Sequence, residues 1–363
     1  VTVRVLQVYS PNPRLKNLST VRRLWFDPTG TRLVAWVGYE DRTAPGRTGS
    51  TRAVHEYDLL SGRSRAVVDE EQLALPEDEP PDPAISPDLR YLAQALSPGL
   101  SGDVLIKDLT RLGEPLPQIR VWSADVAAVA FTPDGRSLIA ARNVSVGNTL
   151  SLDVVWLSFG AYLRAPIRYQ ERQNPFTGQP CRVVRPRPVS TWKPLAALPG
   201  DKPVCSLAVA ADGRWLAVGT WDGWVHVVGI RPRRVVGSFQ WPGKHLRDRA
   251  VYRSAVDPTG RWVAAIAHGQ VFARPLIAEA GKGWATTGTL GYAHDLAYHP
   301  NGAVLAVVDD TGHARFLDPA SGKIRNSFRW AIGPLYSVAF APDGLTCAAG
   351  GENGQVVVWD VDG

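Results

Sequence analysis

Residues 338–361 read VAFAPDGLTCAAGGENGQVVVWDV. Two apolar runs flank Pro342-Asp343-Gly344, and a third follows Glu352-Asn353-Gly354. Proline presets φ at the first central position of a turn, aspartate bonds nearby backbone, and glycine accepts a positive φ without a Cβ penalty. A short apolar run on each side of such a turn is the signature of a hairpin between two buried strands.

The same pattern recurs along the chain. Further copies are LWFDPTGTRLVAW from Leu24, VAFTPDGRSLIAA from Val129, LAVAADGRWLAVG from Leu207, SAVDPTGRWVAAI from Ser254 and LAYHPNGAVLAVV from Leu296. A weaker copy, PAISPDLRYLAQA from Pro83, has Leu89 in the glycine's place, so a different turn is expected there. The markers Gly30, Leu89, Gly135, Gly213, Gly260, Gly302 and Gly344 are separated by 59, 46, 78, 47, 42 and 42 residues. The short intervals match the ~40–45-residue period of a four-stranded propeller blade, and the long ones add an insertion to it. Third strands follow the hairpins, as in VHEYDL (54–59), VLIKDL (104–109), VHVVGI (225–230) and VVVWDV (356–361). Small turns such as Ser61-Gly62-Arg63 and Ser321-Gly322-Lys323 then lead to fourth strands.

GTWDGWVHVV from Gly219 and GGENGQVVVWD from Gly350 resemble the second-to-third-strand hairpin of WD repeats. Trp359-Asp360 is the dipeptide itself; Tyr57-Asp58, Lys107-Asp108 and Leu317-Asp318 are degenerate versions, and His294 lies where the family's Gly-His histidine often does. The resemblance extends over essentially all of residues 1–363. It implies an all-β, seven-bladed β-propeller of four-stranded antiparallel blades forming a single module. Only Trp156 and Trp359 occupy the tryptophan position, so the family's hydrogen-bonded tetrad is mostly missing. The last blade lacks a fourth strand, and the alternating run VTVRVLQVY at residues 1–9 is expected to supply it and cover that edge.

Composition excludes several classes. Hydrophobic residues make up 45% and charged residues 20%, as in ordinary globular proteins. No apolar stretch is long enough to cross a bilayer. No charged-then-apolar leader opens the sequence, and a cytoplasmic, bacterial protein is expected. The net charge of +6 is mild for 363 residues, which disfavours nucleic acid as the partner. Cys181, Cys205 and Cys347 are odd in number and far apart, so neither a disulfide framework nor a cysteine zinc site is expected. The chain holds no methionine and begins at Val1, as expected of an excised segment, a processed product or a translation from an unusual start.

Three loop regions are candidates for partner binding. In a WD-type blade the second-to-third and between-blade loops share one face, the top, while the Pro-Asp-Gly turns lie on the bottom. Residues 69–82, a top loop, hold seven carboxylates and no base; Glu77, Asp78 and Glu79 represent a surface for a basic partner, although such runs more often only solvate. The insertion at residues 157–203 interleaves arginines, including Arg182, Arg185 and Arg187, with Tyr162, Tyr169, Phe176 and Trp192. Such a mixture suits a protein hot spot or packs as an extended loop on the blade. In the third region, Trp221, Trp241, Lys244 and Arg247 form a candidate top-face contact surface, with Trp224 expected to be buried.

No metalloprotease, phosphate-loop or nucleophile-elbow spacing is found in the sequence. His226 and His268 are expected to be structural. His294, Asp295 and Asp125 sit near the tops of inner strands, where a propeller hydrolase, lactonase or metal site would place polar groups. The preferred expectation is a monomeric, non-catalytic scaffold for a protein or peptide partner, without a cofactor; the alternative is a small-molecule enzyme or metal site in the channel.

Overall fold

A computed structural model describes residues 3–7, 19–40, 50–68, 82–96, 103–111, 116–119, 124–146, 149–173, 179–188, 192–241, 249–276, 282–286 and 290–361. The strands form seven antiparallel blades and one separate two-stranded ribbon. From the axis outward, blade 1 comprises Ser19–Phe26, Arg32–Glu40, Ser50–Asp58 and Arg63–Val68. Blade 4 comprises Val204–Val209, Trp215–Thr220, Trp224–Gly229 and Arg234–Gln240, and blades 5 and 6 repeat that order from Val251–Val256 and Ala293–Tyr298. Blade 7 comprises Leu335–Phe340, Thr346–Gly351 and Gln355–Asp360, and its outer strand is Val3–Gln7 from the other end of the chain. Val3 pairs with Trp359 and Gln7 with Gln355 in an antiparallel register.

Each buried cluster straddles a blade junction. Val21, Leu33 and Val37 of blade 1 pack on Ala348, Val356 and Val358 of blade 7. Blades 1 and 2 share Trp36, Val54, Ile85 and Leu92, and blades 4 and 5 share Val225, Trp241, Val263 and Phe272. Every blade therefore relies on its neighbours to bury its faces, as repeat architectures do.

At Gly344 the turn glycine acts through both conformation and space. Gly344 has φ +77°, and a Cβ there would approach the His299 ring of blade 6 to 2.5 Å. Leu89 does not break the pattern as the sequence suggests. It adopts the same left-handed conformation, φ 59°, and donates its N–H to Ser86 O at 2.8 Å. Its side chain is buried against Trp36 and Leu109, which offsets the ~1–2 kcal/mol cost of that conformation.

Blade 2 departs from expectation. Among the described residues its sheet has three strands, Ala84–Ile85, Tyr91–Ala95 and Val104–Asp108. The fourth position is held by a single bridge, Val104 to Ile119, and Ile119 is bridged in turn by Arg187. Arg187 belongs to the insertion in blade 3, which leaves after the third strand, Thr149–Ser158, and returns at the fourth, Lys193–Leu198. Phe159, Tyr162 and Trp192 of this excursion join the core shared by blades 2 and 3, and Tyr162 Oη donates to Pro117 O at 2.6 Å. The insertion thus covers an edge that a short blade would leave open.

Two outcomes follow for stability. Removing residues 1–7 is expected to lower the thermal midpoint by roughly 5–10 °C, measured by calorimetry, because it exposes the edge of blade 7 and the core beneath Leu6. An unchanged midpoint would show that closure does not depend on this strand. Gly344→Ala is expected to destabilise by about 1–3 kcal/mol in urea titration, through both the positive φ and the His299 contact.

Candidate functional site

Near the top of each innermost strand outside blade 2, the register with the second strand slips by one residue. The residues left out of the ladder are Arg22, Ala127, Cys205, Tyr252, His294 and Tyr336. A bulge of this kind re-aims side chains, and here it places one residue per blade at the mouth of the channel. The next position, seven residues before each turn marker, is Arg23, Asp82, Ala128, Ser206, Arg253, Asp295 and Ser337 in blade order.

Four of those seven residues form a ring of alternating charge. Arg23 Nε lies 3.0 Å from Asp82 Oδ2, and Arg253 Nη2 lies 2.7 Å from the same oxygen. Asp295 Oδ1 faces Arg23 Nη1 at 3.4 Å and Arg253 Nε at 3.6 Å. Asp295 Oδ2 also accepts the N–H of Val338 at 3.1 Å. Blades 1, 2, 5, 6 and 7 are joined across the axis by these contacts. Burial alone would raise the Asp82 carboxyl, but Arg253 and Arg23 outweigh it and hold it at about 2, below its ordinary 3.8. A cavity of about 940 Å³ surrounds this layer, with Asp125 and Asn143 on its blade 3 side.

Above the charged layer lies an arc of rings from blades 4 to 7. Trp221 is 56% exposed and meets Tyr252, 48% exposed, edge-on at 6.4 Å. Tyr292, also 48% exposed, contacts His268 at 6.3 Å and His294 at 5.6 Å. His294 continues to Tyr336 at 4.6 Å, and Tyr336 Oη donates to Glu352 Oε1 at 3.2 Å. Burial is the largest influence on the His294 ring and lowers its pKa.

The candidates from sequence distribute unevenly over this geometry. Trp221 is on the arc. Trp241 is not exposed: at 8% accessibility it packs on Phe272 at 4.8 Å, because the blade 4–5 core needs a large ring there. Arg187 is an anchor and not a free contact: its guanidinium donates to Ala165 O at 2.7 Å and Pro166 O at 3.1 Å, over Tyr162. Arg185 is exposed, and Arg182 stands in the ribbon opposite Glu171. Glu77, Asp78, Glu79, Lys244 and Arg247 lie outside the described residues. His226 is buried and bonded to Ser238 Oγ at 2.8 Å, whereas His268 is exposed on a tight turn. His294 stands among tyrosines, apart from Asp295 in its ion pairs, and among the described residues no three His, Cys, Asp or Glu side chains are grouped as metal ligands. Arg23, Asp82, Arg253, Tyr252 and Tyr292 were not singled out from sequence. Aligning the repeats seven and eight residues upstream of each turn marker would have found the first four.

The family model "WD domain, G-beta repeat" matches residues 192–228 and 325–360. Each match runs from the outer strand of one blade through the third strand of the next. The WD repeat-containing protein slr1409 of Synechocystis sp. is 36% identical over 73 residues, 20% of this chain and 22% of that protein. The uncharacterized WD repeat-containing protein sll1491 of the same organism is 26% identical over 142 residues, 39% of each chain. The alignments therefore span well under half the length of these relatives. In structure, the chain is similar to the β-propeller domain of Myceliophteria thermophila Cps50 (Swd1), with TM-score 0.57, 15% identity, and 94% and 97% of the two chains covered.

The sign of the Asp82 shift gives a test. A depressed carboxylate contributes stability that is present above its unfolded pKa of about 3.9 and is lost as pH falls through about 2. Asp82→Asn is expected to destabilise by roughly 1–3 kcal/mol at pH 7, since it leaves two part-buried guanidiniums to share the single carboxylate of Asp295. That difference from the parent should shrink between about pH 4 and pH 2 in chemical denaturation. A difference independent of pH would mean that the carboxylate charge carries none of the effect.

Proposed function

Because the chain is a WD-repeat β-propeller, we propose that it works as a non-catalytic, cytoplasmic docking platform, with residues 1–363 acting as one module for a protein or peptide partner. The observation that carries this reading is the exposed arc Trp221, Tyr252 and Tyr292 at the channel mouth. Large rings held half in water lose little conformational freedom on binding and are typical interface hot spots. Tyr252 stands at the bulge of the blade 5 inner strand, while Trp221 and Tyr292 flank it from the turn after Thr220 and from the residue before the blade 6 inner strand, so the rings are set on the blade framework before the partner arrives.

The charged layer beneath favours docking over channel chemistry. An enzyme or metal site built on His294, Asp295 and Asp125 needs carboxylates free to act. Asp295 is instead engaged by two guanidiniums and a backbone N–H. No helix among the described residues is long and apolar enough to cross a membrane.

The test begins with partners recovered from the source cells by cross-linking and ends with direct binding of the purified pair. Trp221→Ala combined with Tyr252→Ala is expected to weaken that binding at least about tenfold with the circular dichroism spectrum unchanged. Full affinity in the double variant would remove the arc from the interface. Turnover of a small molecule, abolished by His294→Ala, would overturn the docking reading.

A further inference from the structure

The bottom face carries a second surface with a different chemistry. The turns of blades 1 to 3 meet the short helix Phe159–Arg164 around a groove of about 530 Å³. Its walls include Pro28, Pro87 and Pro133, one turn proline from each of three successive blades, and Leu163, which is 37% exposed. Beyond the groove, the insertion exposes two further apolar side chains, Ile167 at 41% and Tyr169 at 47%. Rings and aliphatic groups elsewhere in the insertion, such as Tyr162 and Trp192, are buried in the core. The outward set is therefore separate from the part of the insertion that seals blade 2.

Charge surrounds this apolar strip. Arg136, Arg164, Arg168, Arg172 and Arg185 are all exposed, and none has a carboxylate within ion-pair distance among the described residues. Several blade arginines, by contrast, are held by an acidic side chain: Arg32, Arg65, Arg90, Arg142 and Arg325. Two exposed acids, Asp88 and Asp134, also line the groove, and each is engaged by local hydrogen bonds. Asp88 accepts from Ser86 Oγ at 2.5 Å and from Arg90 N–H at 3.1 Å. Asp134 accepts from Thr132 Oγ1 at 2.6 Å and from Arg136 N–H at 3.0 Å.

We infer that this bottom-face strip of blades 2 and 3 docks an acidic peptide segment that seats a large apolar side chain in the groove beside Leu163, with Arg164, Arg168 and Arg172 meeting its carboxylates. Unpaired arginines at the rim attract and orient an anionic chain, and their effect is strongest at low salt. The proline-walled groove supplies what charge alone does not, a place to bury an apolar side chain. A nucleic acid fits less well, because its backbone offers nothing apolar to the groove, and among the described residues of this strip Tyr169 is the one exposed ring on which a base could stack. This site is independent of the top-face arc.

Fluorescence anisotropy on the full chain tests it with three labelled probes: a glutamate-rich peptide containing Leu-Phe pairs, the same peptide with serine at those positions, and oligothymidylate. The Leu-Phe peptide is expected to bind at low salt, and serine replacement to weaken it at least about fivefold. Arg164→Glu with Arg168→Glu and Arg172→Glu should weaken it at least about tenfold. Leu163→Ser should weaken it at both low and high salt, while Trp221→Ala with Tyr252→Ala leaves it unchanged. These surface variants are checked by thermal midpoint, so a folding defect is read separately. Preference for oligothymidylate, equal binding of the serine peptide, no binding of the Leu-Phe peptide, or insensitivity to the three reversals would each overturn the proposal.

Discussion

A propeller blade has two apolar faces and cannot bury either by itself. In this protein the buried clusters sit between blades, so each sheet contributes half of two cores. Such an arrangement leaves apolar area exposed until the ring is closed. Closure is performed by Val3–Gln7, more than three hundred residues from its partner strand Gln355–Asp360, and it also seats Leu6 against the blade 7–1 core. Glycine turns then meet the preceding blade, as where Gly344 faces His299, and there the lack of a Cβ matters as well as the positive φ.

The ring tolerates one imperfect member because the chain repairs it elsewhere. Among the described residues, blade 2 has a two-residue inner strand and three strands in its sheet. Its turn is completed by Leu89 in a strained conformation, offset by burial of the side chain. Its outer edge is closed by the segment around Ile119 and by Arg187 from the neighbouring blade's insertion. An excursion that resembles a functional appendage in sequence is therefore partly a structural strap. Its remaining exposed arginines and apolar groups differ physically from the part that packs.

Function in this architecture depends on what the equivalent inner positions carry. The bulge leaves one residue out of the ladder in every blade apart from blade 2, and in blades 1, 5 and 6 the next residue is Arg23, Arg253 or Asp295 of the charged layer. Two arginines and two aspartates at that second level alternate in sign and neutralise one another. The axis is consequently stiff and charge-balanced, and the rings above it, Trp221, Tyr252 and Tyr292, are presented to solvent on a fixed frame.

Period, turn chemistry and alternation were local properties, and local properties are written in sequence. They determined the all-β propeller, its seven blades, the turn positions and the closing role of the first strand, because each depends on residues adjacent in the chain or on a repeat visible along it. Tertiary structure alone decided which side chains meet across blades. Asp82, read in sequence as the end of a solvated acidic run, is the counter-ion of Arg23 and Arg253, from blades 1 and 5. Trp241 and Arg187, read as surface contacts, are held by the blade 4–5 core and by the insertion's own carbonyls. These pairings join residues up to 272 positions apart, as between Arg23 and Asp295. Charge and size are visible in a sequence, but whether they face water or a neighbour is settled only when the ring brings distant strands within a few ångströms.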